Sequence, residues 1–370
     1  MNLALSDEQE FLREAARGAL SRVKTIEAAR GALEGGELPD LWPTAVEAGW
    51  PGLLVDEDRG GAGLGAFDAM LVLQECGRVL ASVALLGHVV ATAILNAAGF
   101  EALGAYAAGE RRAVYVPARP PGDLDGDWTV DARSGAARLP APRAEVEGDH
   151  VRLTGSVAWV IDAPGADLLV VVAVTATGET VGVAVSDAPV ESVQRYDATR
   201  RMGHVDLNGV SGQRLDVSEE QLANAWYLAQ ALLAAESLGA VESALEMSVA
   251  YAKERFTFGR AIGSYQAIKH ALTEVLRLQE NTRSLLYYAG WARSDAPHEF
   301  PLAASAARSS GGRALDFAAR ELIAVHGGIG ATWEHDAPLF FRRAQLSRRL
   351  LGGTADATDR VAGELLSTAT

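Results

Sequence analysis

Near the N-terminus apolar residues recur at helical spacing: Leu12, Ala15, Ala16, Leu20 and Val23 follow Ser6 and Gln9, which stand in a capping-box relation. The run Gly60-Gly61-Ala62-Gly63-Leu64-Gly65 breaks this pattern, and helical texture resumes from Ala66 to Ala108. No strand leads into those glycines, so they predict an interhelical turn and not a phosphate cradle. Leu80 to Phe100 is mostly apolar. It carries His88 and Asn96 and is rich in Ala, Gly and Val, which predicts a buried core helix in preference to a membrane span.

From about Val114 to Leu215 the period changes. Leu168 to Val174 (LLVVVAV) and Thr180 to Val185 (TVGVAV) are β-branched runs separated by turn residues, and Gly and Pro cluster from Pro117 to Gly126. From about Ser218 the chain reads as helix again. Glu219 to Arg255 contains no proline and would extend roughly 55 Å. Further helices are predicted over Gln266 to Ser294 and Pro301 to Val325, with a shorter pair after Pro338. The pattern predicts a mainly α chain with a central β-domain. Its expected parts are an N-terminal helical domain (1–110), a middle β-domain (111–216) and a C-terminal four-helix bundle (217–370).

Composition narrows the chemistry. The 370 residues include 48 acidic and 33 basic side chains, a formal charge of -15. That balance argues against a nucleic-acid partner, which needs a basic face, but leaves room for an anionic small ligand held by a few arginines. Only three of the basic residues are lysines: Lys24, Lys253 and Lys269. Cys76 is the sole cysteine, so an internal disulfide and a thiolate metal cluster are both excluded. No His-x-x-x-His pair occurs, and His335-Asp336 alone reads as a helix stop and not a metal site. The N-terminus has neither a basic leader nor a long apolar run, which predicts a cytoplasmic protein without a membrane partner.

The last third carries three informative segments. They are Tyr251-Ala252-Lys253-Glu254-Arg255-Phe256-Thr257-Phe258-Gly259-Arg260, then Ile262-Gly263-Ser264-Tyr265-Gln266-Ala267-Ile268-Lys269-His270, and His326-Gly327-Gly328-Ile329-Gly330-Ala331-Thr332-Trp333-Glu334-His335-Asp336 ahead of Arg342-Arg343. With Leu41-Trp42, Gly49-Trp50-Pro51-Gly52-Leu53 and Arg195-Tyr196-Asp197-Ala198-Thr199-Arg200, the chain resembles the acyl-CoA dehydrogenase family over nearly its whole length. The resemblance implies a helical domain, a β-barrel-like middle domain and a four-helix bundle, usually in a tetramer. It also implies FAD and an acyl-CoA thioester. In the family reaction a carboxylate takes the α-proton while the β-hydride moves to the flavin.

The same resemblance assigns cofactor roles. Residues at the places of Arg255, Phe258 and Gln266 hold the adenosine-diphosphate end of FAD across a subunit interface, and Gly327-Gly328 let backbone N–H groups approach phosphate. Arg255 and Phe258 lie three apart and are expected to share a helix face. Trp159 and Thr354 complete the implied cofactor set. Ala324 replaces a glutamine common in the family.

The catalytic carboxylate is missing. The family's Glu-Gly-Thr appears here as Gly352-Gly353-Thr354, and a second known base position falls at or near Ala229. Neither residue can accept a proton. Glu236 lies seven residues beyond Ala229, about 10 Å along the helix, too far to replace it. Glu242 and Glu246 are expected in solvated or inter-helix pairs. In the β-domain, Tyr115 to Gly122 preserves little of the family's flavin-contacting loop, and Ile161 replaces a hydroxyl residue beside Trp159. Trp226 and Leu233 either line a residual groove or pack in the core, while Arg119 and Arg152 read as solvated cations.

Residues serving a subunit's own flavin ring and substrate are thus eroded, whereas those lent to a neighbour's FAD are retained. That asymmetry resembles the two-subunit acyl-CoA dehydrogenases of bacterial steroid side-chain degradation. The implied role is the subunit without the base in an α2β2 assembly with a paralogous chain. The alternatives are a homomeric enzyme with a relocated base, a monooxygenase-like flavoenzyme of the same fold, and a structural subunit without cofactor.

Overall fold

Ser6 accepts a hydrogen bond from the Gln9 N–H while the Gln9 side chain accepts from the Ser6 N–H, so the predicted capping box starts α1 (Asp7–Ser21). The computed structural model describes residues 4–122, 125–134, 137–193 and 196–367. Five more helices follow: α2 (Thr25–Leu33), α3 (Trp42–Glu47), α4 (Ala66–Arg78), α5 (Leu86–Ala97) and α6 (Leu103–Ala107). The stretch from Ala66 to Ala108 is therefore not one helix. Leu80 takes a left-handed φ of 49°, which ends the helical path and leaves a loop before α5. The apolar run from Leu80 is core as expected, though only Leu86–Ala97 of it is helical. His88 sits there fully buried and bridges two chain segments, accepting from Ala113 N–H and bonding Tyr106 O. Burial lowers its pKa to about 4, so it is neutral.

The middle of the chain forms β1 (Ala113–Val116), β2 (Thr129–Asp131), β3 (Arg138–Pro140), β4 (Arg143–Glu147), β5 (His150–Thr154), β6 (Ser156–Ile161), β7 (Leu168–Thr175), β8 (Thr180–Val185), β9 (Val190–Val193), β10 (Met202–Asp206) and β11 (Ser211–Leu215). Strands β7-β4-β5-β11-β8 form a ring, because β8 pairs back onto β7, and β1 adds to β7 in parallel. The two apolar runs seen in the sequence are β7 and β8, the seam of that barrel, buried except at the Val174-Thr175 end of β7. Strands β6-β10-β9 make a second sheet, and β2–β3 is a separate hairpin.

The C-terminal part comprises α7 (Glu219–Glu254), the short hairpin β12 (Phe256–Thr257) and β13 (Arg260–Ala261), then α8 (Gln266–Asp295), α9 (Phe300–His326), α10 (Ala337–Ser347) and α11 (Gly353–Ser367). Helix α7 runs through the middle of the molecule and joins both hydrophobic cores. It crosses α4 with no side chain between the backbones. A Cβ at Gly77 would lie 1.9 Å from Glu236 O, and one at Gly239 would lie 1.8 Å from Gln74 O. Cys76 is buried at this crossing, and burial, reinforced by Glu236 and Glu75, pushes its thiol pKa up.

A buried ion cluster ties the barrel to the bundle. Arg343 of α10 bonds Asp197 at 2.7 Å and Glu236 of α7 at 2.9 Å, and Arg200 closes on the same glutamate. Burial works to raise the Asp197 carboxyl, but Arg343, Thr199 and Arg200 together hold it below its ordinary value. Arg195, quoted in the sequence pattern beside this cluster, lies outside the described residues.

Asp162 follows β6 in a left-handed conformation and accepts weakly from Gly87 N–H of α5 at 3.4 Å. Burial raises its pKa to about 6 against the counter-pull of Arg200. The folded state thus binds this proton more tightly than the unfolded chain does. The penalty is absent below about pH 4 and complete above about pH 6. Asp162→Asn should therefore stabilise the protein at pH 7.5, by at most about 3 kcal/mol, and leave it unchanged at pH 4. Thermal melts at the two pH values check this; a variant that melts no higher than the parent at pH 7.5 counts against it.

Candidate functional site

One end of the bundle gathers five of the seven predicted cofactor residues. Helix α7 stops at Glu254, where the Arg255 N–H makes the last helical bond to Tyr251 O at 2.8 Å and the chain turns extended. Phe258 (φ 49°) and Gly259 (φ 78°) are the two turn residues of the β12–β13 hairpin, the pairing of left-handed conformations that closes a tight hairpin. Arg255 and Phe258 therefore do not share a helix face. The aromatic and β-branched run Phe256-Thr257 followed by Gly259 favours a hairpin over another helical turn, and the turn projects Phe258 to 94% exposure. Gln266 is the first residue of α8, where helix N–H groups are unsatisfied.

Gly327 ends α9 with φ 63°, and a Cβ at Gly327 or Gly328 would meet nothing within 4 Å, so the backbone there is open to approach. The stacked rings of Tyr251 and His326, 4.2 Å apart, hold the ends of α7 and α9 together. Among the described residues the Arg255 guanidinium has no partner in the chain. Phe256, Ile329 and Trp333 are exposed on the same segments and were not singled out from the sequence. An unpaired guanidinium, an open glycine backbone and exposed aromatic rings form the donor set that suits the diphosphate and adenine of FAD.

Trp159 and Thr354 lie elsewhere. Trp159 has φ 59° at a bulge between β6 and β10. Its indole N–H donates to Ala132 O at 2.9 Å, and its ring meets His204 edge-on. It borders a cleft of about 640 Å³ with Asp131, Arg133 and Arg349. Thr354 is the second residue of α11, and its methyl group lies 2.0 Å from where a Cβ at Gly312 would stand. Gly312 is fifteen residues, about 22 Å, along α9 from Gly327.

The two positions expected for a base meet in space. Gln230, next to Ala229, donates to Leu351 O at 3.3 Å, next to Gly352. Leu351, Gly352 and Gly353 are consecutive left-handed residues, with φ of 52°, 77° and 80°. Their turn is held by Arg308 of α9, which is fully buried and donates to Ser347 O and Leu350 O. Burial, with Arg200 adding, lowers the Arg308 pKa to about 10. Trp226 and Leu233 are core residues.

The three glutamates weighed from the sequence are engaged elsewhere. Glu236 belongs to the Arg343 cluster. Glu242 bonds Gln74, Arg78 and Arg283, and Glu246 pairs with Arg78, the inter-helix pairing expected of them. Arg119 is not a solvated cation: it pairs with Asp125 at 2.5 Å and Asp356 at 3.6 Å beside Gly352. His335-Asp336 opens α10 instead of ending a helix, because Pro338 fits only the first turn, and Asp336 pairs with Arg30 of α2. No group of His, Cys, Asp and Glu able to hold a metal occurs among the described residues.

Gly352→Glu in this chain should produce no dehydrogenase activity. A Cβ at Gly352 would lie 2.6 Å from Asp356 and 3.3 Å from Trp226, in a conformation that disfavours a side chain. Bleaching of added flavin by an acyl-CoA would count against this.

Residues 6–117 match the acyl-CoA dehydrogenase N-terminal domain and residues 223–366 its C-terminal domain. The acyl-CoA dehydrogenase IpdE2 of Mycolicibacterium smegmatis is 30% identical, over 98% of this chain and 100% of its own length. IpdE2 of Mycobacterium tuberculosis is 31% identical, over 97% and 98%. Among solved structures, a chain of the ChsE4–ChsE5 complex from Mycobacterium tuberculosis superposes with a TM-score of 0.85 at 25% identity, covering 99% of each chain. A chain of a Tcur3481–Tcur3483 steroid ACAD variant gives 0.85 at 28% identity, covering 98% of this chain and 99% of that one. Both terminal domains, the barrel between them and the full-length relatives agree: the chain belongs to the acyl-CoA dehydrogenase family, whose members are FAD-dependent oxidoreductases.

Proposed function

We propose that this chain is the subunit without a base in an α2β2 acyl-CoA dehydrogenase, and that it completes the FAD site of a base-bearing paralogue. One observation carries the reading. The bundle end with Arg255, Phe258, Gln266, Gly327 and Gly328 is open, while neither base position, Ala229 in the core or the partly buried Gly352, carries a carboxylate. The names of the similar proteins, a steroid ACAD and a two-component complex, support an acyl-CoA thioester of a steroid side chain as substrate.

In this assembly Arg255 would neutralise the FAD diphosphate with its planar fork, Phe258 would offer an aromatic face, and the Gly327-Gly328 backbone would donate N–H groups. FAD supplies the acceptor for the substrate β-hydride. This chain's own residues bind and orient; the α-proton goes to the carboxylate of the other subunit. We place the complex in the cytoplasm, in keeping with the lack, among the described residues, of any helix long and apolar enough to cross a membrane.

Co-expression with the product of the adjacent gene, or with another base-bearing paralogue, followed by a flavin count, tests the reading. One FAD per pair of chains is expected. One firmly held FAD per chain of a homotetramer would overturn it.

A further inference from the structure

Little free space remains beside the partly buried Gly352. Two voids of about 10 Å³ each flank Trp226 and share Arg119 in their walls, so each has room for about one water. A small-molecule site commonly needs roughly 300–1,000 Å³. The walls are apolar on the sides of Trp226, Val130, Val157 and Tyr227, yet they contain buried polar atoms without a hydrogen bond: Thr129 Oγ1, Gln230 Oε1, Asp356 Oδ2 and Arg360 Nε. Polar atoms beside apolar carbon give the seam the mixed character that a ligand bearing amide groups and an apolar chain would match.

The seam is shut by charge. Arg138 of the β2–β3 hairpin reaches Asp125 at 2.5 Å and also closes on Asp356 of α11, 218 residues away in sequence. Arg119 bonds the same two aspartates. Asp131 of the hairpin lies against Gly352, where burial raises its carboxyl pKa. Removing either the aspartate or the two arginines would leave the hairpin without its tie to α11.

We propose that the side chains of the β2–β3 hairpin and Arg119 fill this chain's own thioester groove, and that the Arg119–Arg138–Asp125–Asp356 cluster is the clasp that keeps it shut. The proposal rests on the partner reading. It adds that the chain is barred from substrate as well as lacking a base. Breaking the clasp frees a groove between Trp226 and Gly352 that accepts an amide-bearing CoA thioester.

The test is calorimetric titration of the full-length chain with octanoyl-CoA, with free CoA as the control. The parent chain should give no saturable binding up to 1 mM, on the order of the weakest constant such titrations resolve. Asp356→Asn, which keeps the side-chain volume, and Arg119→Ser/Arg138→Ser should each bind about one thioester per chain, at least ~10-fold more tightly than the parent and than free CoA. Equal binding by the parent, or no gain in folded variants, overturns the proposal. Should the double variant fail to fold by circular dichroism, the isosteric Asp356→Asn carries the result. The titration uses neither flavin nor the second subunit, so a homotetramer with one FAD per chain would end the partner reading without deciding this one.

Discussion

A complex in which this chain alone carries Arg255→Ala should lose most of its FAD during gel filtration, while both subunits remain assembled and folded. The guanidinium is exposed and has no partner among the described residues, so its removal should cost the subunit itself less than about 0.5 kcal/mol. A charge-assisted contact to a diphosphate is worth about 1.5–3 kcal/mol, which corresponds to roughly 10- to 100-fold in affinity. Flavin fluorescence titration of the reconstituted complex reads that factor. Arg255→Lys should recover part of it, because charge is kept while the planar fork is lost. An unchanged flavin content in the alanine variant would favour the cofactor-free structural subunit instead.

Arg343→Leu should be the most damaging single substitution to stability. It leaves Asp197 and Glu236 buried, with Arg200 as the sole remaining cation of the cluster. Breaking a buried ion pair from one side costs about 3–5 kcal/mol, because the orphaned carboxylates cannot reach water. For a chain of this size that amounts to a fall in Tm of roughly 4–6 °C. Restoring neutrality in the double variant Arg343→Leu/Asp197→Leu, which leaves the Arg200–Glu236 pair, should return much of the loss, whereas a purely steric defect would deepen with further substitution. Differential scanning fluorimetry of the three proteins separates these outcomes.

Much of the fold was legible because its signals are local. The α7, α8 and α9 boundaries fall within one residue of those read from periodicity, since Ser218 caps the first helix and the loops carry glycine or proline. The barrel seam was legible as two β-branched runs. The break at Leu80 was not, because an apolar residue gives no warning that tertiary packing will hold it left-handed. Spacing alone would put Arg255 and Phe258 on one helix face, but the left-handed turn at Phe258-Gly259 makes the segment a hairpin. The bundle end could be assembled from sequence since its parts lie in consecutive motifs. The clasp around Asp356 could not: Arg119 and Arg138 sit in a polar stretch without a pattern, and their partner is more than 200 residues away.

The contact of α4 and α7 through Gly77 and Gly239 has a practical corollary. Cys76 is the one thiol in the sequence, and it lies under that crossing. With no side chain between the two backbones, a reagent can reach it only when the helices part. The alkylation rate of the native protein is therefore a direct clock for separation of the N-terminal domain from the bundle. An assembled complex should run that clock more slowly than the free subunit, with no label introduced.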